Sequence, residues 1–417
     1  MLKSGRAGLA LVSVCWLFAT VAVEAEPVAQ MTPAGNIVWG KTITLTPPNG
    51  AMGRYPRLVR VTQGAHAGDL LLTYQTGLVG GDFMMYRSSD NGASWGEPVR
   101  INTATTQWDF ASCNIIQLTD GRLLMTLQRR VPQAQLGRDF YMDVRFSADG
   151  GETWSAPQQV FQGANWEGRP MEVPHDANGD GIRDIYLFYT QRVIDTRIAE
   201  EKATRLNDHG RAIAFIASYD GGKTWGDSNP ERFTGQIIHR NYDAKASRQS
   251  EADRSGGGMP QPFLLPGDRV GIVVEELDKR QSPMIVANDS GDWDWQGADF
   301  KGPWTSADYT PNGDTHVYPT SPDNAWPAEP QAFGKGPYAS VLTDGRVVMA
   351  SRNEGAVSVW LGDKNARNFK YQGLPFDTEP SAFPFIEPLG GDQILVAGGS
   401  ESEKDNFILL RFGTIKP

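Results

Sequence analysis

Cysteine is almost missing from this chain: two occur in 417 residues, and Cys15 falls in an apolar stretch near the amino terminus, leaving Cys113 without an intramolecular partner. A disulfide framework is therefore excluded, and stability must come from a packed core and any bound metal. Positive charge is also short. With 39 Lys+Arg against 49 Asp+Glu, the formal net charge is -10, and no basic cluster stands out, which argues against a nucleic-acid partner. The five histidines, His66, His175, His209, His239 and His316, share no repeat position or metal spacing, so a zinc cluster is not expected. Beyond Val23 no apolar run approaches the roughly 20 residues of a membrane span.

What is abundant points to strands. The chain has 46 Gly, 27 Pro and 12 Trp with 40% hydrophobic residues, a turn-rich and aromatic composition that favours an all-β fold. At the amino terminus, Lys3 and Arg6 precede an apolar run from Leu9 to Val23, and Val23-Glu24-Ala25 fits a small-x-small cleavage site. Residues 1–25 therefore read as a secretory signal. The mature chain, 26–417, is expected to be secreted or periplasmic, free of the membrane after cleavage, and monomeric.

One turn recurs with little change. It reads Ser88-Ser89-Asp90-Asn91-Gly92-Ala93-Ser94-Trp95, then Ser147-Ala148-Asp149-Gly150-Gly151-Glu152-Thr153-Trp154, then Ser218-Tyr219-Asp220-Gly221-Gly222-Lys223-Thr224-Trp225. Eroded copies follow at Asn288–Trp293 and Gly362–Phe369. Asp bonds backbone N–H groups within such a turn, Gly takes positive φ, and Trp packs beneath the neighbouring sheet, so the element is structural. Alternating apolar hairpins recur six times, at Arg57–Gln75, Ser112–Gln128, Met171–Thr190, Pro262–Glu276, Tyr338–Ser351 and Phe383–Ala397. Six such units predict a six-bladed β-propeller, whose closed ring protects its strand edges. Strands near Ile37–Leu45 and Phe407–Phe412 are expected to share the closing blade. Insertions interrupt the pattern near 194–210, read as a short surface helix, at 241–258, a polar loop, and at 294–336, a long aromatic loop.

In a propeller the strand nearest the axis opens at one mouth, so residues just before each hairpin should converge there. That position reads Arg57, Asp109, Glu167, Gln261, Tyr338 and Glu379. The ring is polar and carboxylate-bearing, without the Ser/His pair of a serine hydrolase. A separate nine-residue segment, Asp176-Ala177-Asn178-Gly179-Asp180-Gly181-Ile182-Arg183-Asp184, sets oxygen ligands on alternate residues with Gly181 at the sharp turn. It predicts a structural calcium ion held by Asp176, Asn178, Asp180 and Asp184 side chains and the Ile182 carbonyl. No organic cofactor is indicated.

The three complete turns and the six hairpins resemble the Asp-box propellers of the sialidase superfamily over nearly all of the mature chain. That resemblance implies a six-bladed fold and a carbohydrate ligand. Within it, Tyr55-Pro56-Arg57-Leu58 is similar to the motif carrying the first substrate-binding arginine, Asp82 stands where an acid/base aspartate would, and Tyr338 in Gly336-Pro337-Tyr338-Ala339-Ser340 resembles the nucleophile position. The second and third arginines have no counterpart: Glu275 takes one place, and no Arg lies between Arg280 and Arg346. The departures resemble the exo-α-L-arabinanases of glycoside hydrolase family 93. Trp166-Glu167 is similar to their Trp-Glu-Pro motif, and Gly258-Met259-Pro260 followed by Val273-Val274-Glu275 to a hairpin ending in a catalytic glutamate. The resemblance implies Glu167 and Glu275 as the catalytic pair with Tyr338 beside them, and Arg57, Asp82, Asp109, Trp166 and Gln261 as substrate contacts. Alternation along a strand makes Glu276 a competitor for Glu275 and Glu172 for Glu167. The expected activity is exo-acting, retaining hydrolysis of a terminal sugar from an arabinan-like polysaccharide. An exo-α-sialidase and a propeller that binds carbohydrate or protein without turnover are the alternatives.

Overall fold

Alternation of apolar side chains over runs of four to nine residues builds strand after strand, and the computed structural model is all-β, with a single 3-10 turn at Pro48–Gly50 among the described residues. The structure describes residues 35–77, 80–131, 140–163, 165–176, 178–192, 211–226, 236–240, 258–275, 284–286, 335–353, 355–366, 368–377 and 380–416. The signal segment, the 194–210 insertion, Glu276 and Glu379 lie outside them, as does nearly all of the 241–258 and 294–336 insertions.

The strands form five sheets of four strands and one of three, every pairing antiparallel. Taken in chain order, the first to sixth sheets begin with inner strands Arg54–Arg60, Asp109–Gln117, Asn165–Glu172, Gly258–Leu265, Lys335–Val341 and Ala382–Gly390. The expected count of six complete four-stranded blades is corrected here. The fourth sheet has three described strands, ending at Met284–Val286, and the chain that follows lies outside the described residues. In the sixth sheet, Ile37–Leu45 pairs with Ile408–Ile415, so both ends of the described chain meet in one sheet.

Six apolar clusters lie between neighbouring sheets. Leu71, Met85, Ile115 and Met125 join the first sheet to the second. Leu124, Val144, Leu187 and Ile216 join the second to the third, while Phe188 and Phe215 meet Ile272 and Val274 of the fourth. Further clusters follow around the ring, and Leu72 and Tyr86 of the first sheet finally meet Phe385 and Leu410 of the sixth. A strand face with nothing to bury it would expose this surface, so closure into a propeller arrangement supplies the missing partner for each sheet.

The repeated turns link the third and fourth strands of the first three sheets and have one bonding scheme. Ser147 Oγ donates to Asp149 Oδ1 at 2.8 Å and accepts from Gly151 N–H at 2.8 Å, while Asp149 accepts from Thr153 N–H at 2.9 Å and Thr153 Oγ1 at 2.5 Å. Ser88, Asp90 and Ser94 repeat it, as do Ser218, Asp220 and Thr224. Trp225 closes its turn by donating Nε1–H to Gly222 O at 3.2 Å and packs into the cluster between the second and third sheets.

These bonds favour ionised aspartate. The Ser94 hydroxyl, with its N–H, holds Asp90 down to about 2, and Thr153 does the same for Asp149. A carboxylate held below its unfolded value contributes stability that is full above about pH 4 and lost as pH falls toward 2. Calorimetry from pH 5 to pH 2 should show the melting temperature falling mainly below pH 4, with a shallower fall in Asp149→Ala. An equal slope in the variant would show that this turn does not carry the effect.

Candidate active site at the inner-strand bulges

Each inner strand breaks step with its neighbour at one equivalent place, and the sixth does so again between Pro388 and Gly390. Pairing skips between Arg54 and Arg57, Ala111 and Asn114, Trp166 and Arg169, Gly258 and Gln261, Lys335 and Tyr338, and Ala382 and Phe385. The first skipped residue always has positive φ: Tyr55 at 50°, Ser112 at 52°, Glu167 at 59°, Met259 at 50°, Gly336 at 58° and Phe383 at 53°. Proline follows in four sheets, as Pro56, Pro260, Pro337 and Pro384, where its missing N–H suits an interrupted ladder. The device is a one-residue β-bulge that re-aims side chains next to it.

The skipped N–H groups turn to the preceding sheet. Ser112 N–H donates to Gln75 Oε1 at 3.0 Å, Met259 N–H to Thr190 Oγ1 at 3.0 Å, and Gly336 N–H to Glu275 Oε1 at 3.2 Å. Gln75, Thr190 and Glu275 occupy one register position, each opposite the last paired residue before its own bulge. A neutral Gln or Thr thus does in two sheets what Glu275 does in the fourth. The joint needs an acceptor, not a charge.

Glu167 occupies the bulge itself. Its Oε2 accepts from Thr190 Oγ1 at 3.2 Å and from Met259 N–H at 3.1 Å, and its side chain is buried. Glu167 thus joins the third sheet to the fourth, and Glu275, paired with Gly258 next to Met259, joins the fourth sheet to the fifth. Both act on Tyr55 across the ring. Burial first, then Glu167 and more weakly Glu275, raise the pKa of its phenol, so it stays a hydrogen-bond donor. Tyr338 packs on Phe385 with ring centroids 4.3 Å apart, and burial, opposed by Arg169, pushes its hydroxyl up to about 12.

The ring read from the sequence is corrected by the bulge. Arg57, Gln261 and Tyr338 do share a position, the one at which pairing resumes, but the same place in the other sheets belongs to Asn114, Arg169 and Phe385. Glu167 stands two residues earlier than Arg169, and Asp109 opens its strand opposite Arg130. Asp82 lies off the inner strands, where Oδ2 pairs with Arg100 Nε at 2.8 Å and Oδ1 accepts from Ala104 N–H at 2.7 Å. Trp166 lies 5.4 Å from Phe140 between ring centroids, beneath the Arg130 guanidinium. Glu172 faces outward to Thr119, whose N–H and hydroxyl it accepts at 2.9 and 3.0 Å.

Sequence reasoning missed a cluster of arginines. Arg169 is buried at the resuming position, and burial holds its pKa down to about 10 without removing its charge at neutral pH. Arg57 lies with it, its pKa lowered by burial and then by the Arg169 charge, and its Nη1 donates to the carbonyls of Pro56 at 2.7 Å and Phe383 at 3.2 Å. Arg130 and Arg54 complete the group, Arg54 standing 4.4 Å over the Phe383 ring. The signal that finds them is the recurring step of one residue, then Pro, Gly or Cys, then the site residue.

The nine-residue acidic turn is differently arranged from the predicted cage. Asp176 accepts N–H groups of Gly179, Asp180 and Gly181, whereas Asp184 is fully buried against His175 Nδ1 at 3.1 Å. Asp176, Asn178, Asp180 and Ile182 remain together on the exposed turn. Among the described residues no group of three or more His, Cys, Asp or Glu side chains converges as a metal site. A cavity of about 400 Å³ opens elsewhere, between the outer strands of the first two sheets, but its Arg87 and Arg145 are spent on Asp69, Glu152 and backbone carbonyls.

No protein-family model matches the chain, and no curated protein matches it. Solved structures do. The α-L-arabinanase of Penicillium chrysogenum, complexed with arabinobiose, shares 16% identity at a TM-score of 0.58, over 90% of this chain and 98% of its own. The glycoside hydrolase family 93 α-L-arabinofuranosidase of Fusarium graminearum, also with arabinobiose, gives 15%, 0.59, 90% and 97%. A Hadza microbial sialidase gives 12%, 0.54, 88% and 66%. At these identities the likeness is one of fold, a glycosidase-like propeller. No helix among the described residues is long and apolar enough to cross a membrane.

The joint makes a separable prediction. Gln75→Leu, which strands the buried Ser112 N–H, should cost about 2 kcal/mol in denaturant unfolding, whereas Glu275→Gln, which keeps an amide oxygen for Gly336, should cost less than about 1 kcal/mol. Equal losses would mean that the Glu275 charge itself holds the joint.

Proposed function

We propose that this chain is an exported, monomeric, six-bladed propeller that hydrolyses a terminal sugar from an arabinan-like polysaccharide with retention of configuration. The single observation behind this reading is that Glu167 and Glu275 are both held by backbone N–H groups of successive bulges, Met259 in the fourth sheet and Gly336 in the fifth. Glycosidic cleavage needs one carboxyl group to protonate the leaving oxygen and another to attack the anomeric carbon. Two glutamates on successive joints can divide those tasks. Tyr338, its hydroxyl kept protonated by burial, then acts as a donor that orients substrate or carboxylate rather than as a phenolate nucleophile. Trp166 and Tyr55 offer ring faces on which a sugar can stack.

A second reading, exo-sialidase chemistry on an acidic sugar, draws support from Arg57 and Arg169, since guanidinium pairs grip carboxylates. Linear arabinan, aryl arabinofuranosides and sialyllactose separate the two. Release of arabinose as the β- or α-anomer matching the substrate, with Glu167→Gln and Glu275→Gln each lowering kcat at least about 100-fold without loss of folding, is the expected result. Release of sialic acid alone would favour the second reading. Binding of glycan, unaltered in both variants and without hydrolysis, would make the chain a lectin-like propeller.

Calcium at the acidic turn is a further proposal, now with Asp176, Asn178, Asp180 and the Ile182 carbonyl as its ligands, since Asp184 is engaged by His175. Such an exposed site would bind in the millimolar range. Adding about 10 mM calcium should raise the melting temperature by about 2 °C in the wild type and not in Asp176→Ala. No shift in either would remove the ion from the account.

A further inference from the structure

The positions at which pairing resumes after the bulges form a set at one register: Arg57, Asn114, Arg169, Gln261, Tyr338 and Phe385. Their unmatched groups are all donors. Arg169 finds no protein acceptor for Nε, Nη1 or Nη2, Arg57 none for Nε, and Gln261 none for Nε2. All three side chains are 1 to 2% exposed, so bulk water does not make up the difference. The two guanidiniums stand over the same ring, with Cζ of Arg57 and Arg169 at 5.4 and 5.6 Å from the Tyr338 centroid. Neither has a carboxylate within ion-pair distance among the described residues.

Two like charges buried together with unmet donors are costly. Two partly buried arginines elsewhere among the described residues do meet carboxylates. Arg129 meets Asp143 at 2.6 Å, and Arg87 meets Asp69 at 2.7 Å. Here the surrounding groups are Tyr338, Phe385, Asn114, whose amide is used on the Gly168 carbonyl, and the Cys113 thiol, which burial pushes up to about 12 and so keeps neutral. Glu167 acts on both arginines at longer range but is held by Thr190 and Met259.

We propose that the axis holds a small monovalent anion, of halide size, between the Arg57 and Arg169 guanidiniums with the Gln261 amide as a third donor. Donors only 1 to 2% exposed favour a monoatomic ion over a sugar carboxylate. The site would neutralise the two buried guanidiniums. It does not depend on the glycosidase reading.

The intact protein, exchanged into sodium isethionate, whose bulky anion cannot enter, would be titrated with sodium chloride or bromide at constant ionic strength. A saturable rise in melting temperature of about 3 °C or more is expected, absent in Arg169→Met. Diffraction from wild-type crystals in bromide should give an anomalous peak between the two guanidiniums, a readout that stands even if the variant fails to fold. A flat titration with no peak would overturn the proposal. So would a shift produced by glucuronate or N-acetylneuraminate but by neither halide, which would assign the arginines to a substrate carboxylate instead.

Discussion

The one-residue bulge in each inner strand is the constraint on which the rest of this molecule depends. Side chains on a strand alternate between faces, so an inserted residue exchanges the faces beyond it. Because it recurs at the same register in all six sheets, the exchange is coherent, and it produces two aligned rings of positions. One ring, at positive φ, carries Tyr55, Ser112, Glu167, Met259, Gly336 and Phe383; the other carries the buried arginines, Gln261 and Tyr338. The bulge also frees an N–H that can no longer serve its own ladder. Spent on the preceding sheet, that N–H becomes the polar joint between Gln75 and Ser112, Thr190 and Met259, and Glu275 and Gly336.

This arrangement ties the candidate chemistry to the architecture. A left-handed backbone at a residue with a side chain costs roughly 1–2 kcal/mol, and the ring accepts that cost at Glu167 because Thr190 and Met259 fix its carboxylate in return. Placing the site on strands locked by neighbouring sheets gives it a rigid frame. The interblade clusters supply that rigidity without disulfide support, and Cys113, buried in one of them, serves as a small apolar residue.

Much of the fold was legible in the sequence because its signals are local. The Ser-x-Asp-x-Gly turns could be read because each residue bonds within the turn, and Ser147, Asp149 and Thr153 do so. The hairpins could be read because two-residue alternation is a property of the strand itself, and the shared closing sheet because Ile37–Leu45 had no other partner. The candidate site was less legible. Glu167, Glu275 and Tyr338 were named, yet the polar ring was counted from the hairpins, and the bulge puts Asn114 and Arg169 where Asp109 and Glu167 were expected. Arg169 stands two residues after Glu167 in the sequence, yet nothing local marks an arginine as buried. Asp184 likewise matched a ligand spacing, although its partner, His175, is set by pairing across the hairpin base.

The central claim is that Glu167, on one bulge, and Glu275, bonded to the bulge at Gly336, act at one reacting centre. Diffraction from crystals of the Glu275→Gln variant soaked with arabinobiose tests it most directly. The account predicts a sugar at the axial mouth, with its anomeric carbon facing the Glu167 carboxylate on one side and residue 275 on the other. Sugar bound only in the outer cavity between the first two sheets, or an axial sugar turned away from both positions, would contradict it.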